Sequence, residues 1–185
     1  MSLLKSITLA GAVLLPTTAL AEWSGGYIGG SVGSVTNLSY DVTTDIDPDV
    51  DFEDGTSYGA FIGGYSDANG FVIGYEVALE FTPDAAELDD EVVVDFILDL
   101  KLSGGVPVGD ALLYGILAVS SINGNYAVND ISAGGFGLGV GAAIKLTDNF
   151  SLGGEYISRA ATQEFDLTDL DATADTFTVR AAYHF

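Results

Sequence analysis

Side chains suited to catalysis are few in this sequence, and their positions do not favour it. His184 is the single histidine of the 185 residues, so an imidazole-based catalytic group would have to be built around it. Asp95 and Asp99 share one face of a predicted strand and could form an acid–base pair. Lys101 lies on the same face, which favours an ion-pair network instead. The sequence therefore predicts a protein that is not an enzyme and needs no cofactor.

The acidic run DVTTDIDPDVDFEDG (41–55) is the feature that most suggests a metal. Asp47, Asp49 and Asp51 have the alternate spacing that opens an EF-hand calcium loop, but Phe52 stands where that loop needs glycine. Carboxylates this dense repel one another and stay solvated. We therefore expect a weak gathering of divalent cations here, with calcium as the candidate, and no specific metal site.

Composition excludes several classes of function. The chain has no cysteine, which rules out disulfides, thiol catalysis and cysteine-based zinc sites. Its formal net charge of −22 argues against nucleic acid as a partner, because phosphates need a basic surface. The same charge argues against electrostatic docking on anionic lipid.

Residues 1–21, MSLLKSITLAGAVLLPTTALA, are predicted to be a secretory leader. Lys5 precedes an apolar run that ends at a proline, and Ala19 and Ala21 form the small-residue exit of such a signal. The apolar run is too short for a transmembrane helix, which needs about 20 residues. We therefore expect the folded domain to span 22–185 and to be exported.

Period-two alternation, rather than a helical stripe, organises the rest of the chain. In FVIGYEVALEF (71–81), large apolar side chains occupy one parity, and glutamate, glycine and small residues occupy the other. Eight such segments are predicted as strands, at about 23–35, 57–66, 71–81, 92–104, 111–121, 133–146, 150–161 and 174–185.

The connections between these strands alternate in length. Those at 66–70, 106–110 and 147–149 are short and turn-like, whereas 36–56, 82–91, 122–132 and 162–173 are longer. The longer connections hold 17 of the 27 acidic residues and no basic one. Short turns at one end and long loops at the other are typical of an all-β, eight-stranded antiparallel up-and-down transmembrane β-barrel.

A β-sandwich and a small soluble barrel show the same alternation, and the placement of charge separates them from a membrane barrel. All four cations beyond the leader lie on the face opposite the large apolar side chains. A charge in the middle of a membrane strand must face the lumen, because it costs about 2–4 kcal/mol on the lipid face. The predicted lumen network comprises Glu76, Glu80, Asp95, Asp99, Lys101, Lys145, Glu155, Arg159 and Arg180.

Aromatic residues near the strand ends are predicted to form two girdles at the membrane interfaces. Phe71 and Phe81 share one face ten residues apart, which places them about 25 Å apart along the membrane normal. Phe150 and Tyr156 are assigned to the same girdles. Further candidates are Tyr183, Tyr114 and Trp23.

Two stretches carry a resemblance to a known family. EWSGGYIGGSVG (22–33) matches a Trp-x-Gly-x-Tyr-x-Gly opening, and FTVRAAYHF (177–185) is similar to a terminal barrel strand. The chain resembles the small OmpA/OmpX-like outer-membrane barrels of Gram-negative bacteria, a porin-like group. The resemblance implies that the last strand is the signal read by the barrel assembly machinery. Its signal residues would be Phe177, Val179, Tyr183 and Phe185.

Two functions follow from this architecture. The first is a structural or surface-interaction barrel, whose acidic extracellular loops serve envelope integrity or adhesion. The alternative is a narrow porin-like channel with weak cation selectivity, although eight strands leave an interior only just wide enough for side chains. An enzyme acting on lipid A is disfavoured, since His184 lies at the periplasmic end, and a soluble periplasmic β fold remains the last alternative. We expect a monomer in the outer membrane, with lipid and the assembly machinery as partners and no nucleic acid.

Overall fold

The computed structural model describes the backbone of residues 23–42, 50–51, 55–82, 92–126, 129–165 and 168–185. It describes the side chains of residues 23–36, 55–82, 96–123, 134–161 and 173–185. The predicted leader at 1–21, the aspartates Asp47 and Asp49, and the side chains of Asp51 and Asp95 lie outside the described parts.

The described chain is built of strands. They are β1 (Gly25–Val42), β2 (Val50–Asp51), β3 (Gly55–Asp67), β4 (Val72–Phe81), β5 (Val92–Val108), β6 (Ala111–Tyr126), β7 (Asn129–Lys145), β8 (Phe150–Phe165) and β9 (Thr168–His184). A helix with the length and apolarity to cross a bilayer does not occur among the described residues.

The eight long strands close into a barrel. Each pairs antiparallel with the next, the two-residue β2 pairs on β1, and β1 also pairs with β9. Following paired residues once around the wall returns to β3 ten residues further along, and this stagger tilts the strands by about 40° from the barrel axis. The path runs through Ser57, Gly33, Thr178, Glu155, Gly141, Tyr114, Gly105, Val72 and Asp67.

Large apolar side chains point away from the barrel axis, and the ionised ones point inward. Leu98 and Leu100 are 38% and 55% exposed, whereas Lys101 and Arg180 are 6% and 7% exposed. A soluble sandwich or soluble barrel would reverse this arrangement, since its apolar face would be buried against itself. The eight-stranded antiparallel barrel predicted from the sequence is confirmed, and the soluble alternatives are wrong.

The two ends of the barrel differ, and the strands are longer at one end than the sequence predicted. β6 continues to Tyr126, β7 begins at Asn129, and β9 begins at Thr168, so most of 122–132 and 162–173 is strand rather than loop. Likewise β1 runs on to Val42. Apolar residues alternate only in the part of a strand that contacts lipid, whereas the backbone hydrogen bonds between strands continue beyond that part. The predicted loop lengths were therefore wrong at these connections.

The opposite end, here called the turn end, carries three short turns. Asn69 and Gly70 form one of them and both have positive φ, 59° and 88°, as a two-residue type I′ hairpin loop requires. The amide of Ala68 donates to the Phe71 carbonyl at 2.7 Å, and the Gly70 amide donates to Asp67 Oδ1 at 3.1 Å. Asn and Gly tolerate these dihedrals with little strain, so the sequence itself sets this turn.

Candidate functional site

The interior of the barrel is filled by side chains in successive layers. Two layers contain charged residues. On β4 and β8 they are four residues apart, and Ala78 and Ile157 lie between them on the same faces of those strands. The lower ion-pair layer, nearer the turn end, consists of Glu76, Lys101, Glu155 and Arg180. The upper ion-pair layer consists of Glu80, Asp99 and Arg159, with the hydroxyl groups of Ser120 and Thr176.

The lower ion-pair layer is a ring in which each cation contacts both carboxylates. Lys101 Nζ lies 2.9 Å from Glu155 Oε2 and 3.3 Å from Glu76 Oε1. Arg180 pairs with the same two glutamates. All four residues are at most 7% exposed. Because buried charges are stabilised only when they are paired and hydrogen-bonded, this ring can exist in the lumen at modest cost.

Two tyrosines donate hydrogen bonds to the glutamates of the lower layer. The Tyr27 hydroxyl donates to Glu76 Oε2 and the Tyr114 hydroxyl donates to Glu155 Oε1, each at 2.9 Å. The Arg180 guanidinium carbon lies 3.8 Å from the centroid of the Phe61 ring, a cation–π contact. These contacts fix the positions of Glu76, Glu155 and Arg180 in the ring of charges.

The upper ion-pair layer centres on Arg159. Its Nε and Nη2 donate to Asp99 Oδ1 and Oδ2 at 3.2 and 2.5 Å, and Nη1 donates to Thr176 Oγ1 at 2.7 Å. The Ser120 hydroxyl donates to Asp99 at 2.6 Å. Glu80 forms a longer ion pair with the same arginine, since its Oε2 is 3.8 Å from Arg159 Nη2, beyond hydrogen-bond distance.

An apolar cap covers the upper layer on the side away from the turns. Its members lie two residues further along the same strand faces: Ile97 beyond Asp99, Ile122 beyond Ser120, Ala161 beyond Arg159 and Ala174 beyond Thr176. Each of the four is at most 3% exposed.

An aromatic floor closes the turn end. The Tyr27 and Tyr65 rings stack with centroids 4.6 Å apart, and Trp23 meets both Tyr65 and His184 edge-on at 5.8 Å. His184 Nε2 and Ser151 Oγ lie 2.8 Å apart in a buried hydrogen bond. His184, the single histidine of the sequence, is therefore packed among aromatic rings.

The prediction that Trp23 and Tyr114 belong to the outer girdles was wrong. Both point inward and are buried, Trp23 at 1% and Tyr114 at 7% exposure. The segment around Tyr114 is apolar on both parities, and the segment around Trp23 is rich in glycine, so alternation gives no facing for either. Tyr27 and Tyr65 were missed for the same reason.

Lys145 lies in neither charged layer, although it was predicted to belong to the lumen network. It is the last residue of β7, at the turn end, and its Nζ sits 5.4 Å from the Trp23 ring centroid. The other predicted network residues with described side chains, Glu76, Glu80, Asp99, Lys101, Glu155, Arg159 and Arg180, lie in the two layers.

The predicted girdle and assembly-signal residues lie on the outer face. Phe71, Phe81, Phe150, Tyr156, Phe177, Val179, Tyr183 and Phe185 are all exposed. The Tyr156 hydroxyl donates to Asp175 Oδ2 at 2.9 Å. Phe185 also joins the two ends of the wall, because its amide donates to the Gly26 carbonyl at 2.9 Å and the Gly26 amide donates back at 3.2 Å.

The cavities between the described charged and aromatic side chains are small. Two interior cavities have volumes of about 20 and about 10 Å³. Each holds at most about one water molecule. Among the described residues, no group of three or more His, Asp and Glu side chains is arranged to hold a metal ion.

Comparisons with known proteins agree with this architecture. A family model described as "Outer membrane protein beta-barrel domain" matches residues 6–185. Among solved structures, Neisserial surface protein A is similar at a TM-score of 0.53 and 12% identity, over 88% of this chain and 98% of that one. The attachment invasion locus protein Ail of Yersinia pestis, solved with the heparin analogue sucrose octasulfate, is similar at 0.51 and 15%, over 87% and 99%. No curated protein sequence matches the chain.

Proposed function

This chain belongs to the family of outer membrane protein β-barrel domains, and on that premise we propose that it anchors acidic segments at the cell surface without catalysis. There they would serve envelope integrity or adhesion. The observation that carries the proposal is the filled lumen: two ion-pair layers lie between the aromatic floor and the apolar cap. A protein that conducts needs a continuous water-filled path, and the two cavities between the described side chains of these layers have volumes of about 20 and 10 Å³.

The interior also argues against an enzyme. Ser151 and His184 form the pair most like a nucleophile and its base, but both are 6% exposed, and the His184 ring packs against Trp23. The adjoining cavity, about 20 Å³, is too small for any substrate larger than water. The pair therefore fits a structural role in the aromatic floor.

The outer face supports outer-membrane lipid as the medium around the barrel. Phe71 and Phe81 lie ten residues apart at the two borders of the exposed apolar band, which gives a band about 25 Å tall. β1 and β9 pair with each other, so the described wall presents no open sheet edge that would call for a second subunit. We therefore propose a monomer, delivered by the barrel assembly machinery.

The surface role is supported by charge as well as by fold. The segments 41–55 and 84–91 carry seven and five acidic residues and no basic one. The names of the two solved neighbours refer to a surface protein and to attachment. Ail was solved with a polyanion, whereas the acidic segments of this chain would repel one. The partner we propose is accordingly a cationic or cation-coated surface.

Conductance of the refolded protein in a planar bilayer tests whether the lumen is closed. We expect no discrete current steps from the chain at concentrations where a reconstituted porin, as positive control, gives regular ones. Steady cation-selective steps would instead establish the narrow porin-like channel and overturn the proposal.

Adhesion of intact cells tests the surface role. Replacing the seven acids of 41–55 by Asn and Gln should reduce binding to a positively charged surface and leave barrel stability unchanged. The matched control is Asp110→Asn with Asp148→Asn, which removes acids from the turn end. Equal loss of binding in the control and the loop variant would contradict the surface role.

A further inference from the structure

A groove crosses the outer face of the barrel diagonally, from β4 to β9. Its volume is about 980 Å³, which lies within the range of about 300–1,000 Å³ that is usual for small-molecule sites. One side of this outer groove is a row of side chains that are register partners from each strand to the next. The members of this row, here called the loop-end row, are Val77, Leu100, Val119, Phe136, Ala160 and Thr173.

The other side of the outer groove is a second row, here called the turn-end row. It lies two residues nearer the turns on each of β4 to β8 and runs from Tyr75 to Ser158. The residues between the rows, such as Glu76 and Lys101, point into the lumen and present only their backbone to the outside. Residues two apart on a strand are about 7 Å apart, so the rows leave room for one extended hydrocarbon chain between their side chains.

The outer groove rises through one half of the membrane. Register partners followed from β4 to β9 run opposite to the path that descends from Ser57 to Asp67, so each step moves toward the end away from the turns. At a strand tilt of about 40°, the five steps rise about 15 Å in all. That is the depth of one leaflet, half of a hydrocarbon core of about 30 Å. Since Val77 lies near the middle of the band between Phe71 and Phe81, the outer groove extends from the bilayer centre to one border.

The chemistry of the outer groove changes along its length. On β4 to β7 both rows consist of exposed apolar and aromatic side chains. On β8 and β9 the lining residues are Ser158, Ala160 and Thr173. Asp175 is the register partner of Ser158, and its Oδ2 accepts a hydrogen bond from the Tyr156 hydroxyl at 2.9 Å. An apolar groove therefore ends, at the membrane border, in hydroxyl groups and a carboxylate.

We propose that the outer groove binds one membrane lipid whose headgroup carries a primary ammonium. The acyl chain lies between the two rows, and the ammonium donates hydrogen bonds to the Asp175 carboxylate and the Ser158 hydroxyl. Charge complementarity selects this headgroup, because Asp175 and the acidic segment 41–55 repel an anionic one. A quaternary ammonium has the charge but no N–H to donate, and charge-assisted hydrogen bonds are about twice as strong as neutral ones.

The test is lipid binding to the chain refolded in an uncharged detergent, counted by native mass spectrometry. Phosphatidylethanolamine, phosphatidylcholine and phosphatidylglycerol with identical acyl chains are titrated separately, so that only the headgroup differs. We expect one phosphatidylethanolamine to bind about tenfold more tightly than phosphatidylcholine, as a hydrogen bond to a charged group predicts. Phosphatidylglycerol should bind most weakly.

Two pairs of variants connect the binding to the outer groove. Asp175→Asn should abolish the preference for phosphatidylethanolamine over phosphatidylcholine, and Asp110→Asn, which removes an acid at the turn end, should keep it. Ala160→Leu places a larger side chain in the outer groove and should weaken the binding of both lipids. Ala181→Leu makes the same change at an exposed alanine outside the groove and is its matched control.

Several outcomes would overturn the proposal. Equal affinity for phosphatidylethanolamine and phosphatidylcholine in the unsubstituted chain is one, and tightest binding of phosphatidylglycerol is another. A preference that survives Asp175→Asn would remove the carboxylate from the site, and equal effects of Ala160→Leu and Ala181→Leu would remove the groove. If Asp175→Asn does not refold, unchanged phosphatidylethanolamine affinity in both Ser158→Ala and Ala160→Leu would refute the site.

Discussion

Arg159 on β8 donates two hydrogen bonds to the carboxylate of Asp99 on β5. Its Nε lies 3.2 Å from Oδ1 and its Nη2 lies 2.5 Å from Oδ2. β6 and β7 lie between these strands along the wall. The pair therefore spans the lumen and braces two parts of the barrel that have no backbone hydrogen bonds to each other.

Removing the cation of this brace should destabilise the barrel strongly. Arg159→Ala leaves Asp99 and Glu80 buried without their cation, and the expected loss in unfolding free energy is about 3–5 kcal/mol. Urea unfolding in lipid vesicles measures it. The double variant Asp99→Asn with Arg159→Met should recover part of the loss, because Asp99 is then uncharged. An unchanged free energy of unfolding in Arg159→Ala would show that the Arg159–Asp99 ion pair does not stabilise the barrel.

Gly141 should tolerate no side chain, because the Tyr114 ring packs on its backbone. A Cβ at Gly141 would collide with that ring. Overpacking of this kind costs about 1–3 kcal/mol, so Gly141→Ala should lower the urea midpoint measurably. Gly115, on the outer face, has nothing within 4 Å of its Cβ position, and Gly115→Ala is the matched control. Equal effects of the two substitutions would contradict the close approach.

A charge on the outer face should be costly in the middle of the apolar band. Leu102 is 61% exposed and lies between the girdles. Leu102→Arg should destabilise the barrel in vesicles by about 2–4 kcal/mol, the cost of a cation at the bilayer midplane. Leu102→Ala controls for the lost leucine. An arginine tolerated as well as alanine would place this face in water rather than in lipid.

Phe185 should matter more for assembly than for stability. Its backbone pairs with Gly26 whatever its side chain, whereas the ring is 70% exposed. Phe185→Ala should therefore reduce the amount of folded barrel in the outer-membrane fraction of cells, while the purified chain refolds with its stability nearly unchanged. Tyr75→Ala, an exposed aromatic inside β4, is the control for the loss of a ring. Equal yields of both variants in cells would argue against a C-terminal signal.

The facing of most strands could be predicted from the sequence, because facing in a membrane barrel is a local property. Lys101 and Arg180 are ionised and Leu100 is apolar, and lipid on one side leaves each side chain a single favourable direction. The same logic failed at Trp23 and Tyr114. Where the residues of both parities are apolar or glycine, the media on the two sides of the wall do not favour either direction for a side chain. Packing inside the lumen then decides which side chains point inward.

The sequence alone determined the antiparallel order, the closed barrel and the face of each strand that carries the charges, because short stretches of chain contain the period-two alternation and the turn residues. Only the tertiary structure decided which charges meet. Glu76 contacts Arg180, 104 residues away, because a stagger of ten residues around eight strands brings those two positions to one level. That stagger is a property of the closed wall and of no single strand, and it also places Arg159 between Asp99 and Glu80.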